Sequence, residues 1–398
     1  MLARAREMPA RGREATSGGG RRTWLTAAGR RYFLLVYSLV VIGLVFVFSS
    51  SYPFAGRPTA NGNDPYHYFL AQLGYALAGL GAMLLLAQAP VVRWLTWRRW
   101  LPLATLGFAW VLMLLAIVWG KFLGHDVNGA YCWLPWPVSW QPSEFAKIAY
   151  IIYIASCLAR GPLPREQSGR VWIPIVGASL FTAVLLVGQK DLGMALVIAV
   201  VTLGMALIGG MPLRKWIPLT LTVGGAGLLL ARAIPHAWKR ILVWLHPEDY
   251  LQGGGLHVYT MLVALSHGGA AGQGLGVSEE KWSSLSERFT DSIFCVIGGE
   301  LGLWGGVGVI VLTVLLGAWA FHIARKCPHR LGFFLASGIG LSFALQGLVN
   351  IAVATASIPP TGLTLPFISY GGSSILSCLI GAGLILSVAA EERVRGEG

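Results

Sequence analysis

The chain has 398 residues, is 55% hydrophobic and only 12% charged, and carries a formal net charge of +13. So few charges in so long a chain exclude a soluble globule and describe an all-α polytopic membrane protein. The basic excess is split among short stretches beside apolar runs, so it reports membrane orientation and attraction to anionic lipid rather than nucleic-acid binding.

Residues 1–31 are rich in Gly, Ala and Arg (Arg4, Arg6, Arg11, Arg13, Arg21, Arg22, Arg30, Arg31) and read as a disordered basic tail. The apolar run after them starts late and is long enough to span, which argues against a signal peptide. About ten spans follow, at 32–51, 68–88, 101–120, 143–159, 172–188, 191–209, 217–234, 293–320, 331–354 and 368–388. The turn at Gln189 and Lys190 is so short that 172–209 reads as a hairpin or a broken, partly re-entrant unit. Together they make one membrane domain, 32–390, with a short tail at 391–398. Arg93, Arg98 and Arg99, then Arg160, Arg165 and Arg170, then Arg214 and Lys215, then Arg325, Lys326 and Arg330 all fall on the side of the tails. The other side holds only Arg57, Lys121, Lys190, Lys239, Arg240, Lys281 and Arg288, although it includes the longest loop. Both termini are therefore expected in the cytoplasm. The long loop, 235–292, faces outward. Loops of this length are usually functional or disordered. Its mixture of charges, aromatics and apolar patches predicts a loop folded onto the membrane surface.

Several residues could carry chemistry. Asp291 closes the long loop just before the eighth span, and Glu287 would share its face if that stretch were helical. A carboxylate at the membrane boundary can act as a general base. The alternative is that Thr290 or Asp291 caps the next helix. Asp191 follows Lys190 at the junction of two spans. A carboxylate at membrane depth faces protein or water and has a partner, unless the pair only snorkels to the surface. Glu144 and Lys147, at i and i+3 after a helix-starting Pro142, read as a structural ion pair. Trp133, in an outer loop, suits a lipid belt or a sugar ring. The five cysteines show no Cys-x-x-Cys, so neither a disulfide framework nor a zinc site is suggested. His236, His246, His257 and His267 fit no compact metal pattern, and Gly272-Gln273-Gly274-Leu275-Gly276 is not a P-loop.

The segment Thr361-Gly-Leu-Thr-Leu-Pro-Phe-Ile-Ser-Tyr-Gly-Gly-Ser-Ser374 breaks an apolar stretch with Pro366, Gly371, Gly372 and five Ser and Thr side chains. Non-helical backbone at membrane depth is tolerated only where protein or a water-filled cavity covers it. This segment resembles the C-terminal signature of the SEDS family, the FtsW/RodA/SpoVE proteins of bacterial cell-wall synthesis. Gly129-Ala130-x-x-Trp133 with Gln141-Pro-Ser-Glu-x-Ala-Lys147 is similar to another motif of that family. So are Gln189-x-Asp-Leu-Gly-x-Ala195, Glu287-Arg-Phe-Thr-Asp-Ser-Ile-Phe294 with Glu300-Leu-Gly302, and Gln346 with Asn350-Ile351. The chain departs from the pattern at Lys190, usually Pro, and at Gly299, usually Glu.

The resemblance implies a peptidoglycan glycosyltransferase in the bacterial cytoplasmic membrane. It would polymerise lipid II at the outer face, beside a class B penicillin-binding protein and other divisome or elongasome membrane proteins. Asp291 falls on the family's essential aspartate and would be the catalytic base. Glu287, Arg288, Lys239, Arg240, Trp133, Asp191, Gln346 and Ser369 are the candidate substrate-binding residues. Lys239, Arg240 and Arg288 are the candidates to offset the leaving diphosphate. A divalent cation, Mg or Mn, could share that role, although no metal-ligand set is read from the residues. Thr364-Leu365-Pro366 and the Asp64 to Leu70 run look more like division-type FtsW than elongation-type RodA. Two alternatives stay open: a lipid II flippase, and a non-catalytic scaffold for a penicillin-binding protein.

Overall fold

The computed structural model describes residues 26–55, 64–122, 124, 129–135, 140–161, 168–251, 254–278 and 289–392. Thirteen α-helices account for most of them: α1 (Ala27–Ala55), α2 (His67–Gln88), α3 (Val91–Trp97), α4 (Leu101–Phe122), α5 (Pro142–Arg160), α6 (Ser168–Gly188), α7 (Leu192–Ile208), α8 (Leu213–Ala233), α9 (Pro235–Leu245), α10 (Gly254–Gly268), α11 (Ile293–Lys326), α12 (Arg330–Ala354) and α13 (Gly372–Ala389). No strand is present among the described residues beyond isolated bridges such as Leu134 with Trp140.

Eight of these helices, α1, α2, α4, α6, α8, α11, α12 and α13, are long and apolar enough to cross a membrane. The other two expected spans fall short for identifiable reasons. α5 carries Glu144, Lys147 and Arg160, and α7 has only 17 residues. Their faces are buried against other helices, so neither must meet lipid all round. α6 and α7 form a helical hairpin about Gln189 and Lys190, where Lys190 adopts a left-handed φ of 60°.

The bundle is layered about α12 and α13. The apolar windows of these two helices are 67% and 83% buried, while that of α8 is 0% buried. α12 packs along α11, α5 and α7, and α13 packs along α2. α8 therefore lies at the periphery, where its apolar side chains are suited to lipid.

Among the boundaries that differ from the sequence expectation, three bear on the rest of the structure. α1 starts at Ala27, so Arg30 and Arg31 ride on the first helix rather than in a tail. The last span starts at Gly372 rather than 368, because Leu363 to Tyr370 is held in a non-helical path. The span expected at 293–320 runs to Lys326 and is broken at Gly302 (φ 67°, ψ −159°). The break frees backbone groups, and the stretch from Gly269 to Gly274 takes them up. Gln273 N–H donates to Gly299 O at 3.0 Å, Gly274 N–H to Glu300 O at 3.0 Å, and Leu303 N–H to Gly269 O at 2.9 Å. Broken backbone inside a membrane protein requires such repair. The long loop thus has a folded core, with α9, a 3-10 turn at Pro247–Tyr250 and α10, docked on the kink of α11.

Candidate active site

The Pro359–Ser374 segment is the centre of the site. Its non-helical carbonyls and N–H groups are matched by polar side chains from α2, α9 and α12 and by Ser369 within it. Gln346 of α12 donates from Nε2 to Thr364 O (3.1 Å) and Thr364 Oγ1 (3.2 Å). Asn350, one turn further along, donates to Leu363 O (2.6 Å) and to Asp291 O (3.1 Å). Ser369 Oγ donates to Thr290 O (2.7 Å) and accepts from Leu365 N–H (2.8 Å). Gln72 of α2 donates to Ser369 O (3.1 Å) and accepts from Gly371 N–H (3.2 Å). α1 contributes a close approach: a Cβ at Gly43 would lie 2.6 Å from Phe367 O. Only a glycine lets the helix sit that close.

Asp291 stands in the turn before α11, half-buried. Ser292 occupies the N-cap of that helix and makes no side-chain capping bond. The carboxylate faces the turn at Gly362, where a Cβ would sit 3.6 Å from Asp291 Oδ2. Gly362 has φ 74°. Arg240 reaches the same turn from α9, with Nη1 donating to Pro360 O at 3.4 Å. Trp244, one turn further on, donates from Nε1 to Ala356 O at 2.7 Å and fixes α9 against this strip. A carboxylate and a guanidinium, 51 residues apart in sequence, thus converge on one turn.

Further positive charge surrounds Arg240. His236 is held below the usual histidine range, first by burial and then by Arg240, Lys190 and Lys239. Lys190 lies over the Tyr131 ring at 4.4 Å, with Nζ 3.3 Å from its hydroxyl. This edge can accept a doubly charged anion at modest cost.

A second polar layer lies deeper. Lys147 and Glu144 form an ion pair at 2.7 Å, with side chains 0% and 4% exposed, as the i,i+3 spacing predicts. Lys147 also donates to Gln346 Oε1 at 2.6 Å, and Ser377 donates to Glu144 at 3.2 Å. The pair therefore ties α5 to α12 and α13 and, through Gln346, to Thr364. Asp191 caps α7, accepting from Met194 N–H at 3.0 Å. Its Oδ2 also accepts from Gln141 (2.8 Å) and Ser143 (2.9 Å). It is thus bound into the protein and does not snorkel. Gln141 N–H in turn donates to Ser373 Oγ at 2.8 Å.

The expected site residues sort accordingly. Asp291 and Arg240 meet at the Pro360–Gly362 turn, with Lys239 in the same charge cluster. Gln346 and Ser369 are 0% and 2% exposed, and their hydrogen bonds hold the segment from behind. Asp191 has a comparable supporting role. Trp133 is half-buried in the loop between α4 and α5, beside Tyr131, whose N–H donates to Gln189 O at 3.0 Å. Glu287 and Arg288 lie outside the described residues. Among the described residues no group of three or more His, Cys, Asp or Glu side chains is placed to hold a metal ion.

The sequence reading did not single out Gln72 or the ring cluster of Tyr68, Phe289 and Tyr370, with centroids 4.8–5.5 Å apart. Tyr370 N–H donates to Phe289 O at 2.8 Å, which locks the cluster to the loop that carries Asp291. For Gln72 the available signal was a polar side chain within an apolar span.

This constellation can be compared with known proteins. Residues 30–394 match the FtsW/RodA/SpoVE cell cycle protein family. The chain belongs to this family. It is 36% identical over 372 residues to a probable peptidoglycan glycosyltransferase FtsW of Idiomarina loihiensis, covering 92% of this chain and 88% of that one. It is 35% identical over 368 residues to the same-named protein of Taylorella equigenitalis, covering 89% and 97%. Among solved structures it is similar to a chain of a peptidoglycan synthase complex that coordinates polymerization and crosslinking (TM-score 0.71, 28% identity, 92% and 98% covered). It is also similar to the rod shape determining protein RodA of Thermus thermophilus (TM-score 0.62, 27% identity, 91% and 97% covered). As an FtsW/RodA/SpoVE protein it is a multi-pass protein of the bacterial inner membrane.

Proposed function

We propose that this chain is a peptidoglycan glycosyltransferase that polymerises lipid II at the outer face of the cytoplasmic membrane. The observation that carries the reading is the meeting of Asp291 and Arg240 at the Pro360–Gly362 turn. Glycosyl transfer from a diphosphate needs both partners. A base must take the proton of the acceptor sugar hydroxyl as its oxygen bonds to the donor anomeric carbon. Positive charge must receive the electron pair that leaves with the diphosphate. Asp291 is the base, and the attack inverts an α-diphosphate to a β-linkage. Arg240, Lys239 and Lys190 face the diphosphate, with Arg288 and Glu287 as further candidates on the adjoining stretch. Trp133 is the candidate to stack on the sugars. A magnesium or manganese ion travelling on the diphosphate would share its charge, and chelation with EDTA tests that contribution.

The orientation follows from the basic residues: ten spans, both termini in the cytoplasm, and the Asp291 end outward. A class B penicillin-binding protein is the proposed partner, since a similar structure comes from a polymerising and crosslinking complex. The curated relatives carry the FtsW name, which supports a place with the division proteins rather than the elongation set.

The test uses purified protein in detergent with fluorescent lipid II, with and without the penicillin-binding protein, and a gel that resolves glycan length. Wild type should give a ladder. Asp291→Ala, folded and inserted, should give none. Lipid II translocation without polymer, lost in Asp191→Asn but not in Asp291→Asn, would replace the enzyme with a flippase. Rescue of a depleted cell by Asp291→Ala would replace it with a scaffold.

A further inference from the structure

A cavity of about 410 Å³ opens at the opposite end of the bundle, between the N-termini of α4 and α6 and the C-terminus of α5. Its size lies within the roughly 300–1,000 Å³ of small-molecule pockets. Its lining is split by chemistry. Arg99, Arg160, Tyr153, Ser156 and Cys157 supply the polar lining, and Leu103, Val171 and Pro174 supply apolar lining. Arg160 is fixed in place by donating from Nη2 to Arg99 O at 2.8 Å. Trp100 and Leu103, at the mouth, are 60% and 53% exposed. The mouth therefore joins the apolar perimeter of α4, where lipid chains would lie.

The charge at this pocket is not neutralised from within the described fold. Elsewhere at the same end, Glu392 pairs with Lys326 at 2.7 Å, and Glu391 lies within 4.0 Å of Arg93 and 3.8 Å of His329. Among the described residues, no carboxylate lies within ion-pair distance of Arg99 or Arg160. Two guanidiniums beside an apolar wall at the cytoplasmic interface match one class of ligand. Basic pockets between transmembrane helices on that side receive anionic headgroups. A guanidinium presents several N–H donors to a phosphate.

We infer that this cavity binds an anionic phospholipid of the cytoplasmic leaflet, its phosphate at Arg99 and Arg160 and an acyl chain against Leu103, Val171 and Pro174. Position and chemistry separate it from the Asp291 site, and it does not depend on the proposed polymerase activity. It depends on the orientation that places these arginines in the cytoplasm.

The test is native mass spectrometry of the delipidated full-length protein titrated with phosphatidylglycerol, phosphatidylcholine and glycerol 3-phosphate. The expected result is retained phosphatidylglycerol, with little of the other two. Arg99→Gln with Arg160→Gln should weaken it about tenfold or more, since each arginine contributes separately. Arg98→Gln, one residue outside the lining, should bind like wild type. Should the double variant prove unstable, Cys157→Trp fills the cavity and keeps both arginines, and should give the same loss. Equal weakening by Arg98→Gln would reduce the effect to diffuse surface charge. Equal binding of glycerol 3-phosphate, or undiminished lipid binding in both the double variant and Cys157→Trp, would overturn the site.

Discussion

At the scale of single residues, the buried Lys147–Glu144 pair decides more than its distance from Asp291 suggests. Removing one partner of a buried pair strands the other charge, at about 3–5 kcal/mol. Lys147→Met should therefore lower the thermal midpoint in detergent sharply, and Glu144→Gln added to it should recover part of the loss. A midpoint unchanged in the single variant would mean that the pair holds nothing together. The same single variant also removes the donor to Gln346 Oε1, so Thr364 should lose order with it. His236 offers a second, gentler probe. Its proton is disfavoured by burial and by three cations, so it is neutral at pH 7 and gains its proton only in more acidic solution. A diphosphate bound among Arg240, Lys190 and Lys239 would reverse that field. Titration of the labelled imidazole by NMR should show its pKa rise when pyrophosphate is added. An unchanged midpoint at saturating pyrophosphate would place the leaving group elsewhere.

At the scale of elements, the Pro359–Ser374 segment behaves as a loop clamped by helices. Asn350 is the tightest clamp because one amide serves two carbonyls, Leu363 O and Asp291 O. Asn350→Leu leaves both without that donor, at about 1–3 kcal/mol for each buried group. Hydrogen exchange across 361–371 should speed up, and polymer yield should fall with the protein still folded. Gly43→Val should give the same exchange signature from the opposite side, by pressing on Phe367 O. Protection unchanged in both variants would refute the clamp. Much of this element was visible in the sequence, because Pro366, the glycines and the hydroxyls have no use on a lipid-facing helix. The i,i+3 spacing of Glu144 and Lys147 was also enough to foresee their pair. What could not be read was which polar groups are taken up by the protein's own backbone and side chains. Gln346 and Ser369 sit in motif positions, yet their partners Lys147 and Thr290 lie 199 and 79 residues away. The break at Gly302 was hidden for a related reason. An apolar run shows length, whereas the repair by Gly269 to Gly274 comes from a different part of the chain.

At the scale of the whole molecule, the reading depends on which way the bundle faces. The proposed orientation puts Ser266 of α10 outside and Lys215 of α8 inside. Both positions are exposed, so cysteines introduced there report sidedness. The natural cysteines should contribute little background: Cys295, Cys327 and Cys378 are buried, and Cys157 only partly accessible. Cys132, between α4 and α5, is also buried, and burial followed by the nearby Asp191 charge pushes its thiol up to about 12. A thiol reacts as its thiolate, so at pH 7.5 Cys132 should stay inert. A membrane-impermeant maleimide applied to intact spheroplasts should label Ser266→Cys and spare Lys215→Cys until the cells are lysed. The reverse pattern would put Asp291 and its cationic edge on the cytoplasmic side. Asp291 would then face away from lipid II displayed on the outer leaflet, the polymerase reading would fail, and the Arg99–Arg160 cavity would open to the outer leaflet instead.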